Sequence, residues 1–236
     1  MENIITKNIC ILTQYGNVRW NNYGKCDFGD LSSTNHLNYA NINGYSYIKK
    51  TVKDSEYLDW HPTWIKIDIL LKTLPLFDYV VWIDADAVFV NQDVKIEDFI
   101  TDEIDLVIPK SEMDKTTGNV WTNTTTGFMI WKNSEWSLNM LKTLWENPDR
   151  YRFDFFHEQS RLDELLSDLY LLPGGENIHN KLVEDLKHPI TLNNVKILPY
   201  SYHRNFEDGE IKYVYHAGGS TPTKLERIQR ILKKDE

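Results

Sequence analysis

The sequence predicts an α/β protein in which a mostly parallel central sheet is flanked by helices. Short apolar segments typical of buried strands alternate with longer segments of helical periodicity over the first half of the chain, a pattern that favours strands joined by crossover helices. One segment, residues 79–83, reads Tyr-Val-Val-Trp-Ile, as expected for a strand buried on both faces. No repeat, low-complexity segment or Gly/Ser linker divides the 236 residues, so we expect a single domain over residues 1–236.

The elements of the first half follow from apolar runs and from the residues that end them. We expect a strand at 8–13 followed by a loop at 14–17, then a helix at 34–43 and a strand at 45–48. Pro62 suits the first turn of a helix whose apolar residues continue to about Leu74, and Pro75 ends that helix. The apolar strand at 79–83 comes next.

The second half contains further predicted strands and helices. The strands are expected at 106–109, 127–131, 195–198 and 212–216. The helices are expected at 134–145, 158–169 and 222–232. Ser134 is the expected N-cap of the first of these helices, and Pro148 lies beyond its end.

The composition limits the kinds of partner that the protein binds. A formal net charge of -9 argues against binding to nucleic acid or to an anionic membrane surface. Cys10 and Cys26 are the only cysteines, too few for a disulfide framework and consistent with a reducing compartment. The apolar stretch near the N-terminus, residues 9–12, is too short for a signal sequence or a membrane span. We therefore expect a soluble protein without a transmembrane segment.

Two carboxylates, Asp84 and Asp86, come directly after the apolar strand. Residues two apart point the same way while the chain stays extended, and two like charges at the end of a buried strand repel unless a cation lies between them. Divalent cations prefer such oxygen ligands and offset the charge of a diphosphate. Open α/β sheets also bind their ligands at the carboxyl ends of strands. We therefore predict a metal–diphosphate site; the alternative is a turn with two solvated aspartates.

The segment at residues 84–88, Asp-Ala-Asp-Ala-Val, fits two classes of enzyme. One is the nucleotide-sugar glycosyltransferases, which bind a metal through Asp-x-Asp. The other is the haloacid-dehalogenase-type phosphatases, which usually carry a similar motif on the first strand. Here some eighty residues precede the motif, and the later Gly-Asp-x-x-x-Asp loop of the phosphatases has no match, because residues 207–210 have the wrong order. The phosphatase is therefore the weaker interpretation.

Four longer sequence blocks match one known family, in that family's order. They are HPTWIKIDILLKTLPLFDYVVWIDADAVFVN from His61, TTTGFMIWKNSEWS from Thr124, HEQSRLDELL from His157 and YHAGG from Tyr215. Over about residues 9–219 the chain resembles the retaining glycosyltransferases related to yeast Golgi α-mannosyl- and galactosyltransferases and plant xyloglucan xylosyltransferases, a glycosyltransferase family 34-like group. A single Asp-x-Asp is a weak signal, whereas four blocks in register are a strong one.

The resemblance implies a GT-A, Rossmann-like fold that binds a UDP- or GDP-linked sugar together with Mn²⁺ or another divalent ion. It implies that Asp84 lies near the ribose and sugar and that Asp84, Asp86 and His216 hold the metal. A lone histidine is more often structural, but the glycines that follow, Gly219 among them, allow the backbone to approach a diphosphate closely. Lys224 is the candidate for the family's diphosphate lysine, although it comes later in the chain than that pattern expects.

The same resemblance assigns the sugar pocket. Glu158 is the candidate nucleophile or oxocarbenium stabiliser for a retaining reaction, and Gln159 is the candidate to bind sugar or acceptor hydroxyls. The structural alternative for Glu158 is a helix N-terminus, where the dipole favours an acid. Thr126 and Gly127 match a segment that meets the donor sugar, and Lys66 matches a lysine that faces the donor.

The end of the first strand is the expected nucleobase site. Thr13, Gln14 and Tyr15 lie there, and Tyr15 is a candidate to stack on the base. The chain departs from the family pattern at two places near the sugar pocket. His157 replaces an acidic residue, so the role of that acid does not transfer. The family's asparagine is displaced, since position 125 is Thr and Asn123 lies two residues earlier.

These observations predict a metal-dependent retaining glycosyltransferase that moves a hexose or pentose from a nucleoside-diphosphate sugar to a glycan or glycosylated acceptor. The alternative from another class is a catalytically silent scaffold that binds a nucleotide-sugar or a glycan. Eukaryotic members of the family are usually anchored in the Golgi, so we expect a cytoplasmic protein if the chain stands alone and a Golgi-lumenal one if it belongs to a longer protein. The sequence leaves the donor, the acceptor, the linkage and the oligomeric state open.

Overall fold

A seven-stranded sheet lies at the centre of the protein. The computed structural model describes residues 7–16, 28–52, 60–111, 124–148, 151, 156–167, 188–205, 210–218 and 221–233. The strands of the chain are β1 (Ile9–Gly16), β2 (Ser46–Val52), β3 (Tyr79–Ile83), β4 (Ala87–Phe89), β5 (Leu106–Pro109), β6 (Phe128–Lys132), β7 (Ile190–Leu192), β8 (Val195–Leu198), β9 (His203–Arg204) and β10 (Val214–His216).

The order of strands in the central sheet is β2-β1-β3-β6-β5-β8-β7. β1 pairs in parallel with β2 and β3, and β5 pairs in parallel with β8. β6 runs antiparallel between β3 and β5, and β7 runs antiparallel at the edge. Five of these seven strands therefore point in one direction. A second sheet of three short strands has the order β4-β10-β9.

Helices cover both faces of the central sheet. They are α1 (Gly29–Asn43), α2 (Pro62–Thr73), α3 (Glu135–Glu146), α4 (His157–Leu166) and α5 (Thr221–Leu232). Buried residues of α2, α3 and α4 share one core with one face of β1 and β3, for example Trp64, Leu141 and Leu162. Tyr39 of α1 packs with the other face, together with β4 and β10. α5 covers the small sheet through Ile228.

The predicted fold class, an α/β sheet flanked by helices, is confirmed. The apolar strand at 79–83 has five buried residues in a row, and Ser134 caps α3 by accepting a hydrogen bond from the Ser137 amide. The loop expected at 14–17 is wrong over 14–16, because these residues continue β1 and pair in register with residues 50–52 of β2. No helix in the described ranges is long and apolar enough to cross a bilayer.

Helix α1 holds the segment that follows the metal motif. The Asn35 side chain is buried; its Nδ2 donates to the Phe89 carbonyl at 2.9 Å, and its Oδ1 accepts from the Phe89 amide at 2.8 Å. Ser32 Oγ donates to the Ala85 carbonyl at 2.6 Å. Nε2 of His36 lies 2.7 Å from the Ala87 carbonyl oxygen. Polar side chains of one helix therefore fix the backbone from residue 85 to residue 89.

We expect the Asn35→Ala variant to lose about 1–3 kcal/mol of unfolding free energy, because it leaves a buried amide of β4 without its partner. Urea unfolding followed by circular dichroism measures the change. Asn38→Ala is the matched control, since Asn38 is exposed on the same helix. Equal losses in the two variants would contradict this role of Asn35.

Candidate active site

The candidate site lies where β3 ends and the neighbouring strand β6 begins, at one edge of the central sheet. β3 ends at Ile83, and its antiparallel neighbour β6 begins at Phe128, which pairs with Ile83. The Asp84 amide then donates to the Gly127 carbonyl at 2.9 Å. Polar residues that end β3 and precede β6 are therefore neighbours in space although they are about forty positions apart in sequence.

The backbone around the two aspartates forms a turn. The Ala87 amide donates to the Asp84 carbonyl at 3.0 Å, so the expectation of an extended chain through Asp86 is wrong. The turn joins β3 to β4, which belongs to the small sheet, and the chain has to change direction between the two sheets. β4 pairs antiparallel with β10, and this places His216 opposite Ala87. The Ala217 amide also donates to the Asp86 carbonyl at 2.8 Å.

Asp84, Asp86 and His216 meet in one cluster. Each offers one ligand atom, and these atoms all lie within 4.8 Å of one another. Nε2 of His216 lies 3.0 Å from Oδ1 of Asp86 and 3.9 Å from Oδ2 of Asp84. The three side chains are only partly exposed, at 16–24%. The sequence predicted this set of three, and the structure brings all of it together.

The charges in the cluster favour the ionised form of Asp86. Burial would raise the pKa of Asp86, but His216 and Lys224 outweigh burial and hold this pKa below its ordinary value. Burial would lower the pKa of His216, but Asp86 and Asp84 outweigh it and raise this pKa. Two carboxylate oxygens and one imidazole nitrogen fit a divalent ion such as Mn²⁺. The residues present therefore suit the metal that the sequence predicts.

Lys224, near the start of α5, reaches the same cluster. Its Nζ donates to Oδ2 of Asp86 at 2.5 Å. It lies eight residues after His216, and α5 returns across the small sheet to bring it back. Gly219, which the sequence predicted to contact the diphosphate, lies outside the described residues.

Lys66 is a buried cation between two carboxylates. Its side chain is 4% exposed, and Nζ lies 3.1 Å from Oδ1 of Asp84 and 2.9 Å from Oε1 of Glu158. Burial would lower the pKa of Lys66, but the two carboxylates outweigh burial and raise it. Burial would raise the pKa of Glu158, and Lys66 opposes burial and lowers it. Each partner therefore keeps the other charged inside the protein.

Thr126 joins this ion pair to Gln159. Its hydroxyl donates to Oε1 of Glu158 at 3.0 Å, and its amide donates to Oε1 of Gln159 at 3.0 Å. Lys66 Nζ also lies 3.3 Å from the hydroxyl and 3.4 Å from the carbonyl oxygen of Thr126. The predicted sugar-pocket residues from α2, the start of β6 and α4 thus form one connected network beside Asp84.

Gly127 lies against two histidines. A Cβ at this position would lie 2.7 Å from Nδ1 of His216 and 2.8 Å from Nε2 of His203. Such short contacts are not found between real Cβ atoms and their neighbours. The absence of a side chain at residue 127 therefore lets His216 reach the two aspartates.

The predicted nucleobase residues are near the site but differ in exposure. Thr13 is fully buried, Tyr15 is 6% exposed and Gln14 is half-buried. The Tyr15 hydroxyl lies 3.1 Å from Oγ of Ser32, and Nζ of Lys49 lies 4.6 Å from its ring centroid. Tyr15 thus packs between α1 and β2, and its stacking on a base stays a prediction.

Two residues of the site were not found from the sequence. Nε1 of Trp82 donates to Oδ1 of Asp84 at 2.7 Å, although the position of Trp82 in the apolar strand predicts a core residue. A tryptophan two positions before a motif aspartate on a strand is the signal that was available, since such residues share a face. His203 belongs to none of the four sequence blocks, and its neighbours come from distant segments.

This fold and this cluster define the class of protein. A Rossmann-like sheet with an Asp-Asp-His cluster at the end of β3 is a GT-A-like arrangement. The chain belongs to the family described as "Protein of unknown function, DUF273", whose model matches residues 37–158. The resemblance to GT-A-like glycosyltransferases that the sequence predicted is confirmed.

The chain is similar to one curated protein in sequence and to two solved structures in fold, and the second of these structures superposes too poorly to support an assignment. The chain is 24% identical over 180 residues to the "Probable alpha-1,6-mannosyltransferase MNN10" of Saccharomyces cerevisiae, which covers 66% of this chain and 46% of that protein. The chain thus spans about half the length of this relative. The crystal structure of a glycosyltransferase involved in the glycosylation of the major capsid of PBCV-1 superposes with a TM-score of 0.61 and 15% identity, covering 94% of this chain and 99% of that one. A197 from STIV superposes with a TM-score of only 0.37, 14% identity and 82% coverage of both chains.

We expect Gly127→Ala to weaken Mn²⁺ binding by at least about tenfold. The new Cβ displaces His216 from the two aspartates, and disturbing the groups that orient a metal ligand typically lowers metal affinity by this factor or more. Electron paramagnetic resonance of free Mn²⁺ during a titration measures the dissociation constant. Gly218→Ala is the matched control, since nothing lies within 4 Å of a Cβ there. Unchanged affinity in Gly127→Ala, with the wild type binding, would contradict this account of Gly127.

Proposed function

We propose that the protein is a metal-dependent retaining glycosyltransferase, which moves a hexose or pentose from a UDP- or GDP-linked sugar to a glycan or glycosylated acceptor. One observation carries the proposal. The Asp84–Asp86–His216 cluster lies next to the buried network of Lys66, Glu158 and its neighbours at the carboxyl edge of β3. A metal site and a charged pocket in contact with each other suit a substrate with a diphosphate at one end and a sugar at the other.

The cluster supports a site for a divalent ion, preferably Mn²⁺. Asp84, Asp86 and His216 would hold the ion, which when bound stabilises the negative charge that develops on the departing nucleoside diphosphate. Lys224 supports the same task, because its ammonium lies at the cluster and can pair with phosphate oxygens. Asp84 borders both the cluster and the Lys66 network, which supports its proposed place near ribose and sugar.

The network supports a pocket that stabilises positive charge on the donor sugar. In a retaining reaction the sugar carbon becomes cationic as the leaving group departs. Glu158 is held ionised by Lys66 and Thr126, so its carboxylate supplies a fixed negative charge. Its Oε1 already accepts from two donors and its exposure is 2%. Its Oε2 is buried and has no hydrogen-bond partner among the described residues, so Glu158 is proposed as the nucleophile or the oxocarbenium stabiliser. Gln159, beside it on α4, is proposed to bind sugar or acceptor hydroxyls.

The silent scaffold and the phosphatase predict other features. The phosphatase needs further carboxylates facing its motif, whereas the cluster found among the described residues contains a histidine as its third member. Oδ1 of Asp84, the nucleophile in the phosphatase interpretation, accepts from Lys66 and Trp82, which weakens it as a nucleophile. A silent scaffold does not require Glu158 to be kept ionised inside the protein. Turnover of a nucleotide-sugar directly distinguishes an active enzyme from such a scaffold.

A thermal-shift screen of nucleoside diphosphates and their sugars, each with and without Mn²⁺, is the first test of the proposal. A nucleotide that raises the melting temperature only with the metal present identifies the donor class through mass action. Donor hydrolysis or transfer with that nucleotide-sugar then separates an enzyme from a silent scaffold. The absence of stabilisation by any nucleotide with metal would overturn the proposed donor site.

Asp86→Asn is expected to abolish the metal-dependent part of nucleotide binding, because it removes a charged ligand that contacts His216 and Lys224. Isothermal titration of the stabilising nucleotide with and without Mn²⁺ measures this effect. Asp93→Asn is the matched control, since it makes the same change of charge at an exposed position seven residues away. Metal-dependent binding at the wild-type level in Asp86→Asn would refute the metal assignment.

Glu158→Gln is expected to lower turnover about 100-fold or more while donor affinity changes little, because the fixed negative charge matters most when the sugar carbon is cationic. Steady-state kinetics with a donor-binding titration measures the two effects separately. Glu164→Gln on the same helix is the control, since Glu164 pairs with Arg161 at the surface. A loss confined to donor affinity would make Glu158 a binding residue.

A further inference from the structure

His203 is a buried histidine beside the candidate metal cluster. It lies on β9, which pairs in parallel with β10, and it is 1% exposed. Neither of its ring nitrogens has a hydrogen-bond partner among the described residues. Its ring centroid lies 5.1 Å from that of His216, with 62° between the ring planes. Burying an imidazole without hydrogen-bond partners costs free energy, which indicates a functional role for His203.

The two histidines direct a ring nitrogen toward the same place. Nδ1 of His216 and Nε2 of His203 lie 2.7 and 2.8 Å from the point where a Cβ of residue 127 would be. Gly127 provides no side chain there, so the space between the two nitrogens stays open. Any larger residue at 127 would separate them.

His216 uses its other nitrogen toward the carboxylates. Its Nε2 lies 3.0 Å from Asp86, whereas its Nδ1 is buried and has no partner among the described residues. A histidine that binds a metal through one nitrogen donates its other N–H to an acceptor, which fixes the tautomer and the ring orientation. Nε2 of His203 lies beside the same space and can serve as this acceptor.

We propose that Nε2 of His203 accepts a hydrogen bond from Nδ1–H of His216 and thereby holds Nε2 of His216 in place as a metal ligand. His203 is then a positioning residue that acts through His216 and is not itself a ligand, in agreement with its absence from the three-residue cluster. The inference rests on the metal site of the proposed function. In the structure the two nitrogens do not form a hydrogen bond, and the proposal requires the two rings to turn toward each other when a metal binds.

The direct test is nuclear magnetic resonance of the full chain labelled with ¹⁵N at histidine and loaded with Zn²⁺ as a diamagnetic probe. We expect a ¹⁵N–¹⁵N coupling across the hydrogen bond between the two rings, with His216 protonated on Nδ1. This signal requires neither activity nor a substitution. Its absence from a chain that has bound Zn²⁺ at His216 would overturn the inference.

Two variants give an independent test through Mn²⁺ affinity, measured by electron paramagnetic resonance of free Mn²⁺. His203→Phe keeps a ring but removes the acceptor, and we expect affinity to fall 10–100-fold. His203→Gln keeps an acceptor oxygen near the place of Nε2, and we expect it to restore most of that affinity. Melting temperatures in chelator, compared with the wild type, separate loss of folding from loss of the metal.

The outcomes distinguish this inference from the proposed function. If the wild type binds Mn²⁺ and His203→Phe, folded, binds it equally well, the inference is wrong and the metal site stands. If both variants lose affinity equally, a shape requirement at residue 203 replaces the hydrogen bond, and the inference is again wrong. If the wild type binds neither Mn²⁺ nor Zn²⁺, the metal site is wrong and this inference falls with it.

Discussion

The buried charge of Lys66 is the constraint on which the arrangement of the site depends. An ammonium group in a protein interior is tolerated only with close partners of opposite charge, and Asp84 and Glu158 supply them at 3.1 and 2.9 Å. These three residues come from α2, from the end of β3 and from the first turn of α4. Moving any of these elements separates the buried ammonium of Lys66 from a carboxylate that it needs inside the protein. The contacts of Lys66 with Asp84 and Glu158 therefore fix the relative positions of α2, the end of β3 and α4 at the site.

A second constraint is the single turn that joins the central sheet to the small sheet. The chain leaves the central sheet at Asp84 and enters the small sheet at Ala87, and α1 holds the backbone between them through Ser32 and Asn35. The short ladder between β4 and β10 then sets His216 opposite Ala87. For this reason Nε2 of His216 lies 3.0 Å from Oδ1 of Asp86, although the two residues are 130 positions apart in the sequence.

The sequence allowed the core and the cluster to be predicted, but not the details that depend on pairing between distant segments. The apolar strand at 79–83 and the N-cap at Ser134 were predictable because local composition determines them. Asp86 and His216 were predictable through motif resemblance. The continuation of β1 past Thr13 was not, because its residues are polar and become a strand only by pairing with β2. His203 was not either, since its significance arises from contact with His216 and Gly127.

The position of Lys224 explains why metal and diphosphate are expected to bind together under the proposed function. Lys224 and His216 both pair with Asp86, so groups of the protein already offset the charge of this carboxylate. Lys224 loses that partner when Asp86 turns to an ion, and a cation left without a partner in a partly buried site is unfavourable. A diphosphate offers the ammonium new oxygen partners at the same place. Nucleotide without metal meets the opposite difficulty, since its phosphates then face the carboxylates of Asp84 and Asp86 with no ion between them.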